Sequence, residues 1–289
     1  MIAPAYPMTM PRQRPLTPAD IGRAATLALH DELSLAPKPG LVTLTDCGSH
    51  TDMDAHTFMR SMFSLRHYFV HIAQAGFEGA GFDVLERSGI AAEARMRHAT
   101  GGVNTHRGAI FMLGLLCAAA GAALHDEGGA LHGDAVRTAL RRHWGDALAS
   151  RSQRVSTLPG GIAARRFGLR SASTEAALAF PVLFDTALPA LKAAQRRGLT
   201  PPEARLDTLF HIMAVLDDSN LAHRGGLAGL RDAQRMAQDF VDQGGIARPG
   251  GMTHAHAIAD AFVARRLSPG GAADTLAAAC LIARICVAS

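Results

Sequence analysis

Apolar residues recur at spacings of three and four along most of the chain. The clearest run starts at Phe58, which Met62, Leu65, Phe69 and Ile72 follow at spacings of four, three, four and three. This period places the residues on one face of a helix. No stretch alternates convincingly with the period of two that marks a strand, and no Gly-rich turn appears in a βαβ pattern. The pattern therefore predicts an all-α protein.

Capping signals divide this pattern into a single globular domain of roughly nine to eleven helices over residues 17–289. Thr17 and Pro18 predict the start of the first helix, because a Thr cap and a first-turn Pro both favour helix N-termini. A second helix is expected from Phe58, and others near 81–98, 104–125, 131–149, 182–197, 201–216, 223–243 and 269–287. The proline-rich residues 1–16 are expected to form a disordered arm.

One apolar run raises the question of a membrane. Residues 108–124 are 17 residues without a charge. The run is just shorter than a usual membrane span and is diluted by Gly and Ala, so we expect a helix buried on all sides.

Composition and charge narrow the class further. Hydrophobic residues make up 48% and aromatic residues 5% of the chain, as expected of an Ala-rich helical globule. The net charge is +4, but the arginines are scattered among acids and form no basic stripe interleaved with aromatics. The four cysteines form no CxxC pair, which favours a reducing compartment. We expect a cytoplasmic protein without a nucleic-acid or membrane partner.

Polar residues gather between the predicted helices. Segments rich in Gly, Asp, His and Asn cover residues 36–56, 100–108, 157–175, 217–226 and 268–271. A loop such as 36–53 is longer than a helix connection requires, which is typical of functional loops. These segments predict a polar cleft built by loops.

The segment 37–54 offers a basic group and two acids. Lys38 lies between two prolines, which predicts an ammonium presented to a phosphate at low ordering cost. Asp52 and Asp54 stand two residues apart at a helix start, where two carboxylates can share one Mg²⁺ with substrate phosphates. The alternative, a solvated lysine and an Asp that only caps the helix, remains open.

Two helix starts carry a similar set of side chains. Asn104, Thr105, His106 and Arg107 open one helix, and Asp218, Asn220, Arg224, Gly225 and Gly226 lie at another. Unpaired N–H groups, the positive end of the helix dipole and an arginine make an anion site. Two such starts facing one cleft would hold a polyphosphate. The alternative is a pair of capped helices, each with a hydrogen-bonded histidine.

Five ordered motifs resemble one family. PKPGLV (37–42), GSHTDMD (48–54), GVNTHRGAIFMLGLL (102–116), DSN with HRGG (218–226) and SPGGAADTLAA (268–278) are similar to triphosphoribosyl-dephospho-CoA synthases. The resemblance covers residues 20–287. It departs at Ser219, where the family has Thr, and at Ser173 and Ala179, where the family tends to carry Arg and Gly. The role of residues 157–181 is therefore left open.

The resemblance implies a reaction and roles for these residues. The family joins ATP to 3′-dephospho-CoA and releases adenine, so that the acceptor 2′-hydroxyl attacks C1 of the ATP ribose while the triphosphate stays attached. The implied triphosphate ligands are Lys38, Arg107 and Arg224. Asn104 and Asn220 would orient ribose or phosphate, and Thr105, Gly225 and Gly226 would also bind ATP or its phosphates. Asp52, Asp54 and Asp218 would bind Mg²⁺ and supply the base, and His50 or His106 would protonate adenine.

The resemblance also implies a pathway. We expect no fused transferase, and residues 158–170 look closer to the malonate decarboxylase branch than to the citrate lyase branch. A downstream phosphoribosyl-dephospho-CoA transferase and an acyl-carrier subunit would then use the product, and a homodimer is one option. Two alternatives are kept: an all-α, Mg²⁺-dependent ADP-ribosyl-type hydrolase, and a non-catalytic helical module that binds a carrier protein.

Overall fold

The regular elements are all helical in the part of the chain that the structure, a computed structural model, describes: residues 15–128 and 130–287. The α-helices are α1 (Pro18–Leu33), α2 (Ala55–Phe77), α3 (Phe82–Ala99), α4 (Arg107–Glu127), α5 (Gly133–Ser152), α6 (Pro159–Phe167), α7 (Ala172–Ala177), α8 (Leu188–Arg196), α9 (Pro201–Val215), α10 (Ser219–Asp242), α11 (Gly251–Ala264) and α12 (Gly270–Ile285). A π-helical turn (Val182–Ala187) leads into α8, and a 3₁₀ turn (Gly245–Ala247) precedes α11. The predicted all-α class is confirmed.

The first helix begins where its local sequence predicts. The backbone N–H of Asp20 donates to Oγ1 of Thr17 (3.3 Å), and the N–H of Thr17 donates to Oδ2 of Asp20 (3.0 Å). This reciprocal pair satisfies two N–H groups that a helix start otherwise leaves unpaired. The predicted arm over residues 1–16 lies outside the described residues, except for Pro15 and Leu16.

Helix α4 forms the centre of the core. It is the helix of the described ranges that is long and apolar enough to cross a membrane, and 83% of its most apolar 18-residue window is buried inside the protein. Its backbone approaches α2 closely: a Cβ on Gly121 would lie 2.0 Å from the carbonyl oxygen of Ala73, and one on Gly76 would lie 2.0 Å from that of Ala118. The uncharged run is therefore a buried core helix, as predicted.

The described part of the chain forms twelve α-helices, more than the predicted nine to eleven, because three helices form where none was expected. Helices α6 and α7 occupy much of the segment 157–175, and nine and six residues are too few to display a clear apolar period. Helix α11 did carry a signal, since its buried residues Ala255, Ile258 and Phe262 are spaced by three and four. The segment 157–175, which was expected to be a polar loop, is thus largely helical.

Candidate active site

A cavity of about 860 Å³ lies where the loop after α1 meets the starts of several helices. Its volume falls within the roughly 300–1,000 Å³ of pockets that hold small-molecule ligands. The first turns of four helices line it: Arg107 and Gly108 of α4, Gly160 and Gly161 of α6, Ser219 and Asn220 of α10, and Gly270 and Gly271 of α12. Since a helix start carries unpaired N–H groups and the positive end of the dipole, this lining suits an anion.

Close contacts fix these helix starts against one another. A Cβ on Gly160 would lie 2.8 Å from Oγ of Ser219, and one on Gly270 would lie 2.7 Å from Nδ2 of Asn220. Asp218 joins α10 to α12, because its carboxylate accepts the N–H groups of Asn220 (2.8 Å) and Ala272 (3.0 Å). The cavity wall is therefore a packed structure rather than a set of independent loops.

The long loop between α1 and α2 is tied to the segment before α12. Oγ of Ser49 donates to the carbonyl of Leu267 (2.6 Å), and Nε2 of His50 lies 2.9 Å from Oγ of Ser268. Arg224 completes the connection by donating to the carbonyls of Ser49 (2.5 Å) and Arg266 (2.9 Å). Arg224 is exposed and lines the cavity, so it positions the loop and still presents charge to a ligand.

Lys38 does not present its ammonium to the cavity, contrary to the expectation from its flanking prolines. Its side chain is 1% exposed, and Nζ donates to the carboxylate (2.5 Å) and the carbonyl (2.8 Å) of Glu32. Burial lowers the pKa of Lys38, and the charge of Glu32 opposes this effect. In this structure Lys38 neutralises a buried acid and lies outside the cavity lining.

The three aspartates expected to share a metal do not come together. In the described ranges no three side chains of His, Cys, Asp or Glu are grouped to hold a metal ion. Asp54 caps α2 through the N–H of Thr57 (2.8 Å), and Asp218 is 2% exposed and holds backbone N–H groups. Of the three, only Asp52 lines the cavity. In this structure the three carboxylates therefore do not form one common site.

The other expected phosphate ligands divide into two groups. Asn104, Thr105, Arg107 and Asn220 line the cavity, with Arg107 also donating through Nε to Glu93 (2.8 Å). The two glycines do not line it. Gly225 packs so close to Leu267 that a Cβ would lie 2.6 Å from Cδ2, and Gly226 breaks α10 with a φ of 66°. The positive φ of Gly226 favours glycine, and the close contact with Leu267 leaves little room for a side chain at position 225. These two glycines therefore shape helix α10.

Both expected histidines line the cavity, and both are held neutral. Burial, and then the charge of Lys38, lowers the pKa of His106 to about 3. Burial, and then the charge of Arg224, lowers the pKa of His50. Neither histidine is therefore suited to deliver a proton as an imidazolium near neutral pH.

A hydrogen-bond chain fixes the tautomer of His106. Oγ1 of Thr105 donates to Oγ of Ser61 (2.7 Å), and Oγ of Ser61 lies 2.6 Å from Nδ1 of His106. The Ser61 proton is then directed to Nδ1, which leaves the ring proton on Nε2. Nε2 is buried and has no hydrogen-bond partner among the described residues. A buried donor without a partner indicates a place for a ligand acceptor.

The neutral state of His106 predicts a specific sensitivity to acid. The ring of the unfolded chain protonates near the ordinary value of 6.5, whereas the folded ring stays neutral until about pH 3. The neutral ring therefore contributes a free energy of folding that is fully present above pH 6.5. This contribution is lost by about 1.4 kcal/mol per pH unit as the pH falls below that value. We expect the free energy of unfolding, measured with urea between about pH 7 and about pH 5, to fall more steeply with decreasing pH for the wild type than for His106→Gln. Parallel slopes would contradict the assignment.

Sequence reasoning missed two parts of this site. Residues of α6 and α7, including the exposed Arg165, line one wall, in the segment whose role was left open. Within that segment Ala179 has a φ of 55°, a conformation that favours the Gly to which the family tends. Glu32 and Asp274 also line the cavity. Asp274 lies inside the motif SPGGAADTLAA, which was the available signal for it.

The fold and the cavity together define an all-helical protein with a ligand-sized cavity bordered by helix N-termini. The chain belongs to the CitG family, described as ATP:dephospho-CoA triphosphoribosyl transferase, whose family model matches residues 18–289. The family resemblance read from the five motifs is confirmed.

Curated relatives match over most of their length. A probable 2-(5''-triphosphoribosyl)-3'-dephosphocoenzyme-A synthase of Acinetobacter calcoaceticus is 36% identical, over 87% of this chain and 86% of its own. Proteins of the same name from Vibrio cholerae and Citrobacter koseri are 38% and 37% identical, over 92% and 89% of this chain and 88% of each relative. No solved structure matches the chain significantly.

Proposed function

We propose that this protein transfers the 5-triphosphoribosyl group of ATP to the 2′-hydroxyl of 3′-dephospho-CoA and releases adenine. Membership in the family and the similarity to proteins named as synthases of this kind support this activity. The observation that carries it is the cavity itself, because the first turns of four helices line one ligand-sized space. Such a lining suits a triphosphate.

The reaction requires that the triphosphate be bound without making its phosphorus atoms electrophilic. The positive ends of the helix dipoles, the first turn of α6, which has no side-chain cap, and the exposed Arg224 and Arg165 would bind its oxygens. Attack occurs at C1 of the ribose, where the transition state resembles an oxocarbenium ion, as in glycoside hydrolysis. A carboxylate near C1 would favour that positive charge electrostatically.

A magnesium ion fits this site only together with substrate phosphates. Mg²⁺ is commonly held by one or two carboxylates plus phosphate oxygens. Asp52 fits that role, because it lines the cavity and its side chain is 63% exposed. The ion would supply charge neutralisation for the triphosphate.

Two matched substitutions test the role of Asp52. We expect Asp52→Asn to raise the Mg²⁺ concentration for half-maximal activity by roughly tenfold or more, since it removes one charged ligand. Asp54→Asn, the same change two residues away, should leave that concentration unchanged because Asn caps a helix as well as Asp. Adenine release measured across a Mg²⁺ titration decides. An unchanged titration in both variants would remove Asp52 from the metal site.

The activity is tested by product analysis. Purified protein is incubated with ATP, Mg²⁺ and 3′-dephospho-CoA, and products are separated and weighed by mass spectrometry. Free adenine with a triphosphoribosyl adduct of dephospho-CoA supports the proposal. Adenine without an adduct would indicate the ADP-ribosyl-type hydrolase, and no adenine would indicate a non-catalytic carrier-binding module.

We propose that the product serves a malonate decarboxylase rather than a citrate lyase. The resemblance of residues 158–170 to that branch supports the choice, and the segment includes wall residues of the cavity. A downstream phosphoribosyl-dephospho-CoA transferase would then load the acyl-carrier subunit. Deleting the gene should remove the prosthetic group from the malonate carrier alone, as read from intact protein masses. Loss from a citrate lyase carrier instead would reverse the assignment.

We further propose a cytoplasmic enzyme, with a homodimer as the assembly to test. The four cysteines are free in the structure, which fits a reducing compartment. Cell fractionation and light scattering of the purified protein would test location and assembly respectively.

A further inference from the structure

Five carboxylates line the cavity in the described part of the chain: Glu32, Asp52, Glu86, Glu93 and Asp274. Arginines neutralise Glu86 and Glu93, and the Lys38 ammonium neutralises Glu32. Asp52 is exposed to solvent, and Nδ1 of His50 lies 3.7 Å from its Oδ1. Asp274 differs from the other four, because it is half-buried and has no ion-pair partner among the described residues.

Asp274 lies against the first turn of α4. A Cβ on Gly108 would lie 1.9 Å from its Oδ2, so only glycine leaves room for the carboxyl group there. The N–H of Ala109 donates to it. The charged groups that act on Asp274 are Glu32 from α1, already paired with Lys38, and Asp218 from the start of α10. Asp274 therefore lies near two acids and, within the described ranges, has no cationic partner of its own.

Two features of His106 point to a ligand beside Asp274. His106 is 4% exposed, precedes Gly108 by two residues, and its Nε2–H has no partner among the described residues. The ring is neutral, so it can donate a hydrogen bond to a nucleobase nitrogen but cannot supply the proton that a departing adenine needs. That proton requires another group in the same part of the cavity.

We propose that Asp274 is the general acid that protonates the departing adenine. The inference rests on the proposed function. The C1–N9 bond of ATP breaks with its electron pair passing to adenine, and the carboxyl proton of Asp274 moves to a ring nitrogen of the base. The acceptor 2′-oxygen bonds to C1 and gives up its proton to bulk water, from which Asp274 is reprotonated. The cycle neither consumes nor releases a proton.

The surroundings of Asp274 favour the protonated form of its carboxyl group. Burial, and then the negative charges of Glu32 and Asp218, raises the pKa of Asp274 well above its ordinary range, and the Ala109 N–H offsets this only in part. A carboxyl group whose surroundings raise its pKa is the usual general acid near neutral pH. Glu32 is paired with Lys38, whereas Asp274 has no such counter-charge among the described residues.

The test compares two leaving groups. Asp274→Asn is assayed with ATP and with 4-nitrophenyl riboside 5′-triphosphate, whose nitrophenolate leaves without protonation. We expect single-turnover rates to fall by roughly 10²–10⁴ with ATP and by less than about tenfold with the nitrophenyl substrate. Asp52→Asn, the same change in a solvent-exposed carboxylate, should reduce both rates by the same factor. Equal losses for both substrates in Asp274→Asn would overturn the assignment.

A measurement on the wild type covers the case in which the variant fails to fold or the nitrophenyl substrate is not used. The ATP rate should be constant at lower pH and fall as the pH rises through the pKa of Asp274, because only the protonated form donates. A rate with no alkaline fall in the wild type, or an equal fall in Asp274→Asn, would overturn the proposal. If the wild type releases no adenine, the proposed function itself fails. If the wild type is active and Asp274→Asn matches it with ATP, only the role of Asp274 fails.

Discussion

Replacing Lys38 by Met is expected to destabilise the protein by about 3–5 kcal/mol, because it leaves the Glu32 carboxylate buried without its counter-charge. The side chains of Lys38 and Glu32 are 1% and 6% exposed, so water cannot compensate for the lost partner. The double variant Lys38→Met with Glu32→Gln should recover much of the loss, since both charges are then absent. Urea unfolding of the four proteins of this cycle measures the effect.

Lys192 provides the matched control for this prediction. It is the other lysine of the chain and is exposed on α8, so Lys192→Met changes the net charge equally and should cost no more than about 0.5 kcal/mol. If Lys38 instead bound the triphosphate, as its flanking prolines suggested, Lys38→Met would weaken ATP binding at nearly unchanged stability. That outcome would contradict the role in the core.

The second large effect is expected at Asp218. Asp218→Ala removes the acceptor for N–H groups at the starts of both α10 and α12, and we expect a loss of about 2–4 kcal/mol. Asp217→Ala, at the adjacent position, removes one acceptor of the Arg170 N–H (3.1 Å) and should cost about 1 kcal/mol. Chemical denaturation of the two variants gives the comparison.

The same substitution separates two roles for Asp218. Burial raises the pKa of Asp218 to about 6, and its oxygens already accept backbone N–H groups. A structural role therefore predicts that activity per folded molecule keeps its Mg²⁺ dependence in Asp218→Ala. A large shift of that dependence at unchanged stability would restore Asp218 as a metal ligand and contradict the structural assignment.

The fold class and the neighbourhood of the site were predictable from local signals. The helical period from Phe58 and the capping residues at Thr17 act within a few residues, so the sequence displays them directly. Residues at the predicted helix starts near 104 and 223 do line the cavity, although the second helix begins four residues earlier, at Ser219. Helices α6 and α7 escaped prediction because helices of nine and six residues carry too little apolar period and depend on tertiary packing.

The roles of individual polar residues depended on distant partners. Lys38 appeared solvated between prolines, yet it pairs with Glu32, six residues earlier and on α1. Asp54 and Asp218 appeared to be metal ligands beside Asp52, but capping geometry directs them to backbone N–H groups. Desolvation decided the state of His106, since burial disfavours its charged form.

By itself the sequence determined the helical class, the family and the segments that surround the cavity, because each follows from patterns over short distances along the chain. The tertiary structure alone decided which charges face the cavity and which are neutralised. Asp274 shows why: its motif is visible in the sequence, but its contact with Gly108 and its proximity to Glu32 and Asp218 exist only once α1, α4, α10 and α12 are packed together. Electrostatic roles are set by neighbours in space, and the order of residues does not reveal them.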